Sequence, residues 1–428
     1  MRPALCNILW KASRIMIEGI RIRNFRALRD FKIGKLWNEG KSRPLTPLTV
    51  VIGKNGVGKS SLFDAFGFLA DCLKFGVEEA FDRNDRGGYE QVHSKGTEDG
   101  IYFELYFRSA PNERPITYEL EIQVDEHRRP YVRRECLRQR RKGQNRGKPF
   151  LFLILNNGSG FAWRGDSAGA SEDSQQEESA DREPVELADK AQLGIATLGS
   201  LKQHPRISLF RKFVESWYLS YFTPDSARSL PQAGAQKKLS VHGENLGNVV
   251  QFMERQHPAE FQRVLARIAG KIPGLKSIDT EVTPDHRLLL RFHAEGFDAP
   301  FYAQQMSDGT LKVFTYFLML SMPNPSPFIC IEEPENGLYH KLLETLADEF
   351  REYATGKANS PQVFITTHQP YFVNNLNPEE VWVIDKGPDG FSTATRASDN
   401  NLVKSMVQEG IPLGNLWYSD FLDPANNR

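Results

Sequence analysis

Residues Gly53-Lys54-Asn55-Gly56-Val57-Gly58-Lys59-Ser60 fit the phosphate-binding pattern G-x-x-x-x-G-K-[ST]. This segment narrows the possible folds more than any other, because such a loop works only between a buried strand and a helix N-terminus. Both flanks are present. Pro47-Leu48-Thr49-Val50-Val51-Ile52 is a nearly continuous apolar run, which predicts a buried parallel strand. After it, Leu62, Phe66, Leu69 and Leu73 recur at helical spacing. Backbone N–H groups must close on phosphate oxygens, and Gly53, Gly56 and Gly58 allow that approach. Lys59 brings a cation to the β/γ-phosphates, and the Ser60 hydroxyl is a candidate Mg²⁺ ligand. Asn55 and Ser61 fall within the same cradle. The alternative, a plain glycine-rich turn, does not account for the flanking strand and helix.

A second segment completes the chemistry. Phe328-Ile329-Cys330-Ile331 is an apolar strand that ends in Glu332-Glu333-Pro334. In parallel sheets ligands sit at the carboxyl ends of strands. There Glu332 would hold Mg²⁺ through water, and Glu333 would orient or deprotonate an attacking water. A solvated strand end is the bland alternative for both.

Composition excludes more than it identifies. A chain of 428 residues suits roughly two to three domains, or one large α/β domain with insertions. Basic and acidic residues balance at 54 each, so no global field draws the chain to nucleic acid or membrane. Cys6, Cys72, Cys136 and Cys330 are far apart and suggest neither a zinc site nor disulfides, in keeping with a reducing cytoplasm. No apolar stretch reaches the ~18 residues of a membrane span. Residues 1–15 are an extension or a misassigned start, since a better strand begins at Met16.

The rest of the chain divides by pattern. Ile17 to Phe25 alternates as a strand. Residues 101–155 read as an antiparallel meander. Gly165 to Asp189 is rich in Ser, Glu, Asp, Gln and Ala, which predicts a mobile insert. From about Gly194 the pattern is mostly helical, with helices expected over 245–255, 258–271 and 311–320. Short strands are expected over 288–292, 327–331, 363–367 and 381–384. Arg133, Arg134, Arg138, Arg140, Arg141, Lys142, Arg146 and Lys148 make a local basic cluster. It reads either as a solvated hairpin end or as a grip for non-specific DNA.

Several motifs, in order, resemble those of ABC-type ATPases of the RecF/SMC/OLD-like branch. Glu332-Glu333-Pro334-Glu335-Asn336-Gly337-Leu338-Tyr339-His340 resembles the Walker B motif and D-loop. Met306-Ser307-Asp308-Gly309-Thr310-Leu311-Lys312 resembles the signature motif. Ile365-Thr366-Thr367-His368-Gln369-Pro370 resembles the switch-histidine strand, and Arg23-Asn24-Phe25-Arg26 the N-terminal strand motif. Gly414-Asn415-Leu416-Trp417 resembles the tail of stand-alone bacterial ATPases of this branch. The resemblance spans about residues 16–428.

It implies an α/β fold: a P-loop NTPase built as an ABC-type ATPase head, with an antiparallel β subdomain and a helical subdomain carrying the signature. The implied divisions are an extension (1–15), a nucleotide-binding lobe (16–160), a mobile acidic insert (161–192), a helical signature subdomain (193–312) and a Walker B and switch-histidine lobe (313–428). ATP and Mg²⁺ are the implied cofactors. Two heads would sandwich two nucleotides, with Ser307 and Gly309 of one copy closing the γ-phosphate site of the other. Ser307 reads otherwise as a helix N-cap. His368 would contact the γ-phosphate, or serve a structural role. Arg26 would touch nucleotide, or lie at the surface. Gln91 is the candidate for the metal-contacting glutamine of the Q-loop, against a plain loop residue.

Two departures stand out. Glu332 replaces the usual Asp, one methylene longer, and Asp308 replaces the first glycine of the transporter-type signature, which points away from transporters. Neither an N-K-x-D base reader nor a kinase catalytic loop occurs. The resemblance implies a cytoplasmic ATPase switch in DNA repair or anti-phage defence, or else a non-catalytic ATP-dependent scaffold. Only 60 residues follow His368, too few for a further domain of the usual ~100. A nuclease or toxin effector would then be a separate partner.

Overall fold

The strand Leu48–Ile52 has all five residues buried and sits inside a six-stranded sheet. In that sheet Tyr218–Ser220, Phe328–Glu332, Gln362–Thr367, Leu48–Ile52 and Val381–Lys386 run parallel, and Ser392–Arg396 closes one edge antiparallel. The computed structural model describes residues 15–37, 39, 42–110, 113–140, 149–165, 182–272, 274–357 and 360–423. Residues 1–14, the centre of the acidic insert (166–181), and Arg141, Lys142, Arg146 and Lys148 lie outside them.

Strand alternation sends the sheet's residues into two cores. Val51, Phe328, Phe364 and Trp382 face the helix Lys59–Phe75 and a second, eight-stranded antiparallel sheet. Phe66 of that helix packs its ring against Trp217, Phe328 and Phe364, with centroids 5.8, 5.1 and 5.2 Å away. Leu48, Val50 and Ile52 face the other way, onto Leu343, Leu346 and Phe350 of helix His340–Thr355.

The antiparallel sheet runs in the order Leu28–Gly34, Met16–Phe25, Ile101–Arg108, Ile116–Val124, Pro130–Gln139, Phe150–Asn156, Ser159–Trp163, Arg182–Glu186. Thus the meander expected over 101–155 forms and continues. The far rim of the expected mobile insert is itself a strand, Arg182–Glu186, paired to Ser159–Trp163. Of the basic cluster, Arg133 pairs with Glu121 at 2.8 Å, and Arg134 and Arg138 pair with Glu119 on the neighbouring strand. These three arginines are therefore engaged within the sheet.

A third core joins helices Leu246–Gln256, Pro258–Ala269 and Asp308–Leu320 to a three-stranded sheet, Leu275–Val282, Leu288–Ala294 and Phe301–Tyr302. The region expected to be mostly helical carries this sheet as well. The division expected at 312/313 falls inside the helix Asp308–Leu320.

Gln362 joins the two large sheets. Its buried side chain accepts from the Ile17 amide at 2.8 Å and donates to the Ile17 carbonyl at 2.9 Å. Gln362→Leu leaves both backbone groups without partners, which costs on the order of 2–4 kcal/mol. The expected drop in unfolding free energy is measurable by urea titration, and an unchanged midpoint would refute the role.

Glu135 ties the antiparallel sheet to helix Gly194–Leu198. It accepts from the amides of Gly194 and Ile195 at 2.5 and 3.2 Å and from the Tyr118 hydroxyl at 3.1 Å. Burial pushes its carboxyl up to about 7, against the pull of those donors. The folded state therefore keeps this proton while the unfolded state releases it above its ordinary value of 4.5. The group's contribution to stability is full below that value and declines as pH rises toward about 7. Relative to Glu135→Gln, the unaltered protein is expected to lose on the order of 3 kcal/mol across that window. A constant difference between the two proteins at all pH values would overturn this account.

Candidate nucleotide site

Parallel pairing brings three strand ends together. Ile52 leads into the glycine loop, Phe328–Glu332 ends at Glu332, and Gln362–Thr367 leads to His368, with registers Thr367↔Ile52 and Glu332↔Thr366. The glycines of the loop answer steric demands. A Cβ on Gly53 would lie 2.5 Å from the Ile384 carbonyl oxygen. Gly58 has φ +108°, and a Cβ there would lie 2.2 Å from the Ser392 hydroxyl. That hydroxyl donates to the Val57 carbonyl at 2.6 Å, and the Ser392 amide donates to Ala27 at 2.9 Å. The loop is thus braced from the edge strand, a contact that no local pattern signals. Asn55, Gly56 and Ser60 are exposed at its mouth, and Ser61 is half-buried.

Lys59 is buried and donates to the carbonyls of Gly53 and Lys54 at 2.9 and 3.1 Å. Its ammonium lies 3.7 Å from Glu333 Oε1. The same carboxylate oxygen is 3.2 Å from His368 Nδ1, which is 3.3 Å from Glu335 Oε1. Glu335 is buried and fixes the histidine turn by accepting from the Thr367 hydroxyl at 2.6 Å and the His368 amide at 2.9 Å. Glu333 has φ +41°, an uncommon conformation for a residue with a side chain. Its amide donates to the Thr366 carbonyl at 3.0 Å, and Asn336 donates to its Oε2 at 3.0 Å.

The two neighbouring glutamates titrate in opposite directions. Burial raises the Glu332 carboxyl, and the carboxylates of Glu333 and Asp64 add to it, while the Ser60 hydroxyl and Lys59 pull down. Burial also acts on Glu333, but the Asn336 hydrogen bond with the charges of His368 and Lys59 outweighs it, so its carboxyl lies below the usual range. Glu332 and Ser60 are thus joined at a spot dense in negative charge, as an Mg²⁺ site with one carboxylate, one hydroxyl and phosphate oxygens requires. Among the described residues no group of three or more His, Cys, Asp or Glu side chains forms a cage that would hold a metal without substrate.

Arg26 does not lie free at the surface. Its guanidinium sits 2.9 Å from Asp64, which Arg86 holds from the other side at 2.9 Å. Arg86 also reaches Asp71 at 2.6 Å. Tyr221 comes near Asp64 and Glu332, and burial with these carboxylates pushes its phenol up. The sequence reading missed Asp64, Arg86 and Tyr221. The one signal for Asp64 was a carboxylate one helical turn past Ser60.

Gln91 is exposed on the short helix Tyr89–Val92, beside Val92, whose carbonyl accepts from the Arg26 amide at 2.6 Å. Among the described residues it makes no hydrogen bond to Ser60 or Glu332. Ser307 caps the helix Asp308–Leu320 by accepting from the Thr310 amide at 3.2 Å. A Cβ on Gly309 would lie 3.3 Å from the Gly337 carbonyl oxygen, so the signature packs on the segment after Glu335. Among the described residues neither Ser307 nor Gly309 hydrogen-bonds the glycine loop of its own chain. Lys312, one turn further, is buried; burial pulls its ammonium down against Glu335, Asp308 and Glu333. Gly414 closes on the helix after His368, where a Cβ would lie 2.0 Å from the Pro370 carbonyl oxygen.

Along the chain the order is loop, signature, acid pair and histidine, and the loop, acid pair and histidine end neighbouring parallel strands, an arrangement with the fold of an ABC-type ATPase head such as those of SMC proteins. Residues 48–374 match the family described as "AAA domain, putative AbiEii toxin, Type IV TA system", and the chain belongs to that family. No match to a curated protein was found. An SMC head solved with the C-winged helix domain of ScpA superposes with a TM-score of 0.53 at 12% identity, covering 89% of this chain and 97% of that one. The SMC head domain of Thermotoga maritima gives 0.42 at 14% identity, covering 89% and 98%. The Pyrococcus furiosus Smc head bound to the ScpA C-terminal domain gives 0.47 at 14%, covering 92% and 98%. At 12% identity the first of these fixes the fold alone.

Ser392→Ala removes the donor to Val57 without touching the cradle face. The expected result is a loss of about 1 kcal/mol in stability together with weaker ATP binding. Equal affinity in both proteins, by titration calorimetry, would show that the brace does not shape the loop.

Proposed function

We propose that the chain binds ATP with Mg²⁺ and hydrolyses it to ADP and phosphate, two copies closing around two nucleotides. The observation that supports this best is the convergence on Glu333: one carboxylate oxygen lies within 3.7 Å of Lys59 Nζ and 3.2 Å of His368 Nδ1. Lys59 must exchange its bonds to Gly53 and Lys54 for phosphate oxygens when ATP enters. Ser60 and Glu332 would hold Mg²⁺, which neutralises charge on the phosphates. Glu333 is ionised at neutral pH and accepts a hydrogen bond from water. Because its carboxyl is held low, it is a weak base, and its main work is to aim the water in line with the γ-phosphate. His368, anchored through Glu335, would contact the γ-phosphate.

Ser307 and Gly309 head a thirteen-residue helix whose N-terminus favours an anion, yet among the described residues they make no hydrogen bond to their own loop. A second copy would bring them to the γ-phosphate. In our reading the paired state is a switch acting on a separate effector protein. The family description, with its toxin and type IV system, favours a defence role over DNA repair. The paired arginines of the basic cluster give no added support to a DNA grip. Among the described residues no helix is long and apolar enough to cross a membrane.

Glu333→Gln keeps the side chain's size and removes its charge. Turnover is expected to fall roughly 10²–10⁴-fold with ATP binding retained, and size-exclusion chromatography with ATP should show a trapped dimer. Unchanged turnover would overturn this role for Glu333, and turnover at background level in the unaltered protein would favour the non-catalytic scaffold reading, in which ATP only holds the pair together.

A further inference from the structure

A cavity of about 490 Å³ opens where the edges of the two large sheets meet. It lies between strand Leu28–Gly34, the segment at Ser42 and Arg43, the strands Val381–Lys386 and Ser392–Arg396, and helix Asn401–Gln408. Its charged lining is Lys32, Arg43, Arg396 and Lys404 against Asp399. Glu39 neutralises part of this by pairing with Lys32 at 2.5 Å, and Glu379 and Glu380 lie near Arg396. Arg351 already holds Glu380, at 2.5 Å.

Three polar side chains in the wall are more than nine-tenths buried. Arg396 is 4% exposed and uses its Nε on the Glu379 carbonyl at 2.7 Å, with its guanidinium 5.5 Å from the centre of the Trp382 ring. The Trp382 indole N–H and the Ser398 hydroxyl are buried with no hydrogen-bond partner among the described residues. Leaving such donors unmatched is costly, and native interiors rarely do so. The four cations still exceed Asp399, Glu39 and Glu379 beside them, and an anion with several acceptor oxygens would balance that excess and offer acceptors to donors of the wall.

We propose that this cavity is a second ligand site, for a phosphorylated small molecule carrying at least two negative charges. The volume exceeds what a lone phosphate needs and falls in the range of small-molecule pockets, ~300–1,000 Å³. The site is distinct from the nucleotide loop. Ser392, which braces Val57, and Arg396, which lines the cavity, are the two ends of one five-residue strand. They are separated by roughly 13 Å at the usual rise per residue. The inference does not depend on ATP hydrolysis at Glu333.

Inorganic pyrophosphate is the probe, titrated calorimetrically into the Lys59→Ala variant so that the glycine loop does not compete. One equivalent per chain is expected to bind. Adding Arg396→Gln or Lys404→Gln should weaken it roughly tenfold or more, since each removes a charge-assisted contact. Lys404 is only half-buried on its helix, so its variant tests the site even where Arg396→Gln does not fold. Absence of binding to Lys59→Ala, or binding undiminished by the Lys404 change, would overturn the proposal.

Discussion

The nucleotide edge depends on the strand Leu48–Ile52 lying between Gln362–Thr367 and Val381–Lys386. Only a parallel arrangement puts the glycine loop, the tip of Phe328–Glu332 and the turn at His368 at one end of the sheet. That arrangement requires strands buried on both faces, and the apolar runs at 48–52, 328–331 and 363–365 meet that demand. The antiparallel sheet packs over one face and His340–Thr355 over the other. The site therefore inherits its geometry from the packing of two cores, and its side chains refine it.

Electrostatics then separates two adjacent carboxylates into different tasks. Glu332 points toward Ser60 in a buried, negatively charged setting, where a proton or a cation is favoured. Glu333, turned by its left-handed backbone, meets Lys59, His368 and Asn336, where the anion is favoured. Glu335 anchors the histidine from behind. Glu332 and Glu333, adjacent in the chain, thus differ in charge preference because the backbone turns sharply between them. This is a matter of placement.

Much of this was legible in the sequence. The strand–loop–helix signal, the apolar strand ending in Glu332-Glu333 and the helical run after Ser307 all form where patterning put them. Periodicity and motif spacing are local, and so are these features. What was missed is long-range or lacks a period. Ser392 bracing Val57, Gln362 holding Ile17, and Arg86 reaching Asp64 join positions far apart in the chain, and a serine or glutamine inside an alternating strand gives no sign of its partner. The strand Arg182–Glu186 was hidden because its charged composition suits an exposed edge as well as a loop. The three-stranded sheet beside Asp308–Leu320 was foreseen only at 288–292, since short strands between helices leave few repeats to count.

The Ser392–Val57 contact spans 335 positions, which has a bearing on how the molecule is made. At a ribosomal pace of ~5–20 residues per second, roughly half a minute separates synthesis of the two residues. Through that interval the emerging polypeptide carries the glycine turn without its brace, and the central strand without its neighbours on either side. The phosphate cradle is therefore finished long after its own loop is made. A nascent chain has to keep its half-built parallel sheet from pairing wrongly until residues 362–396 arrive.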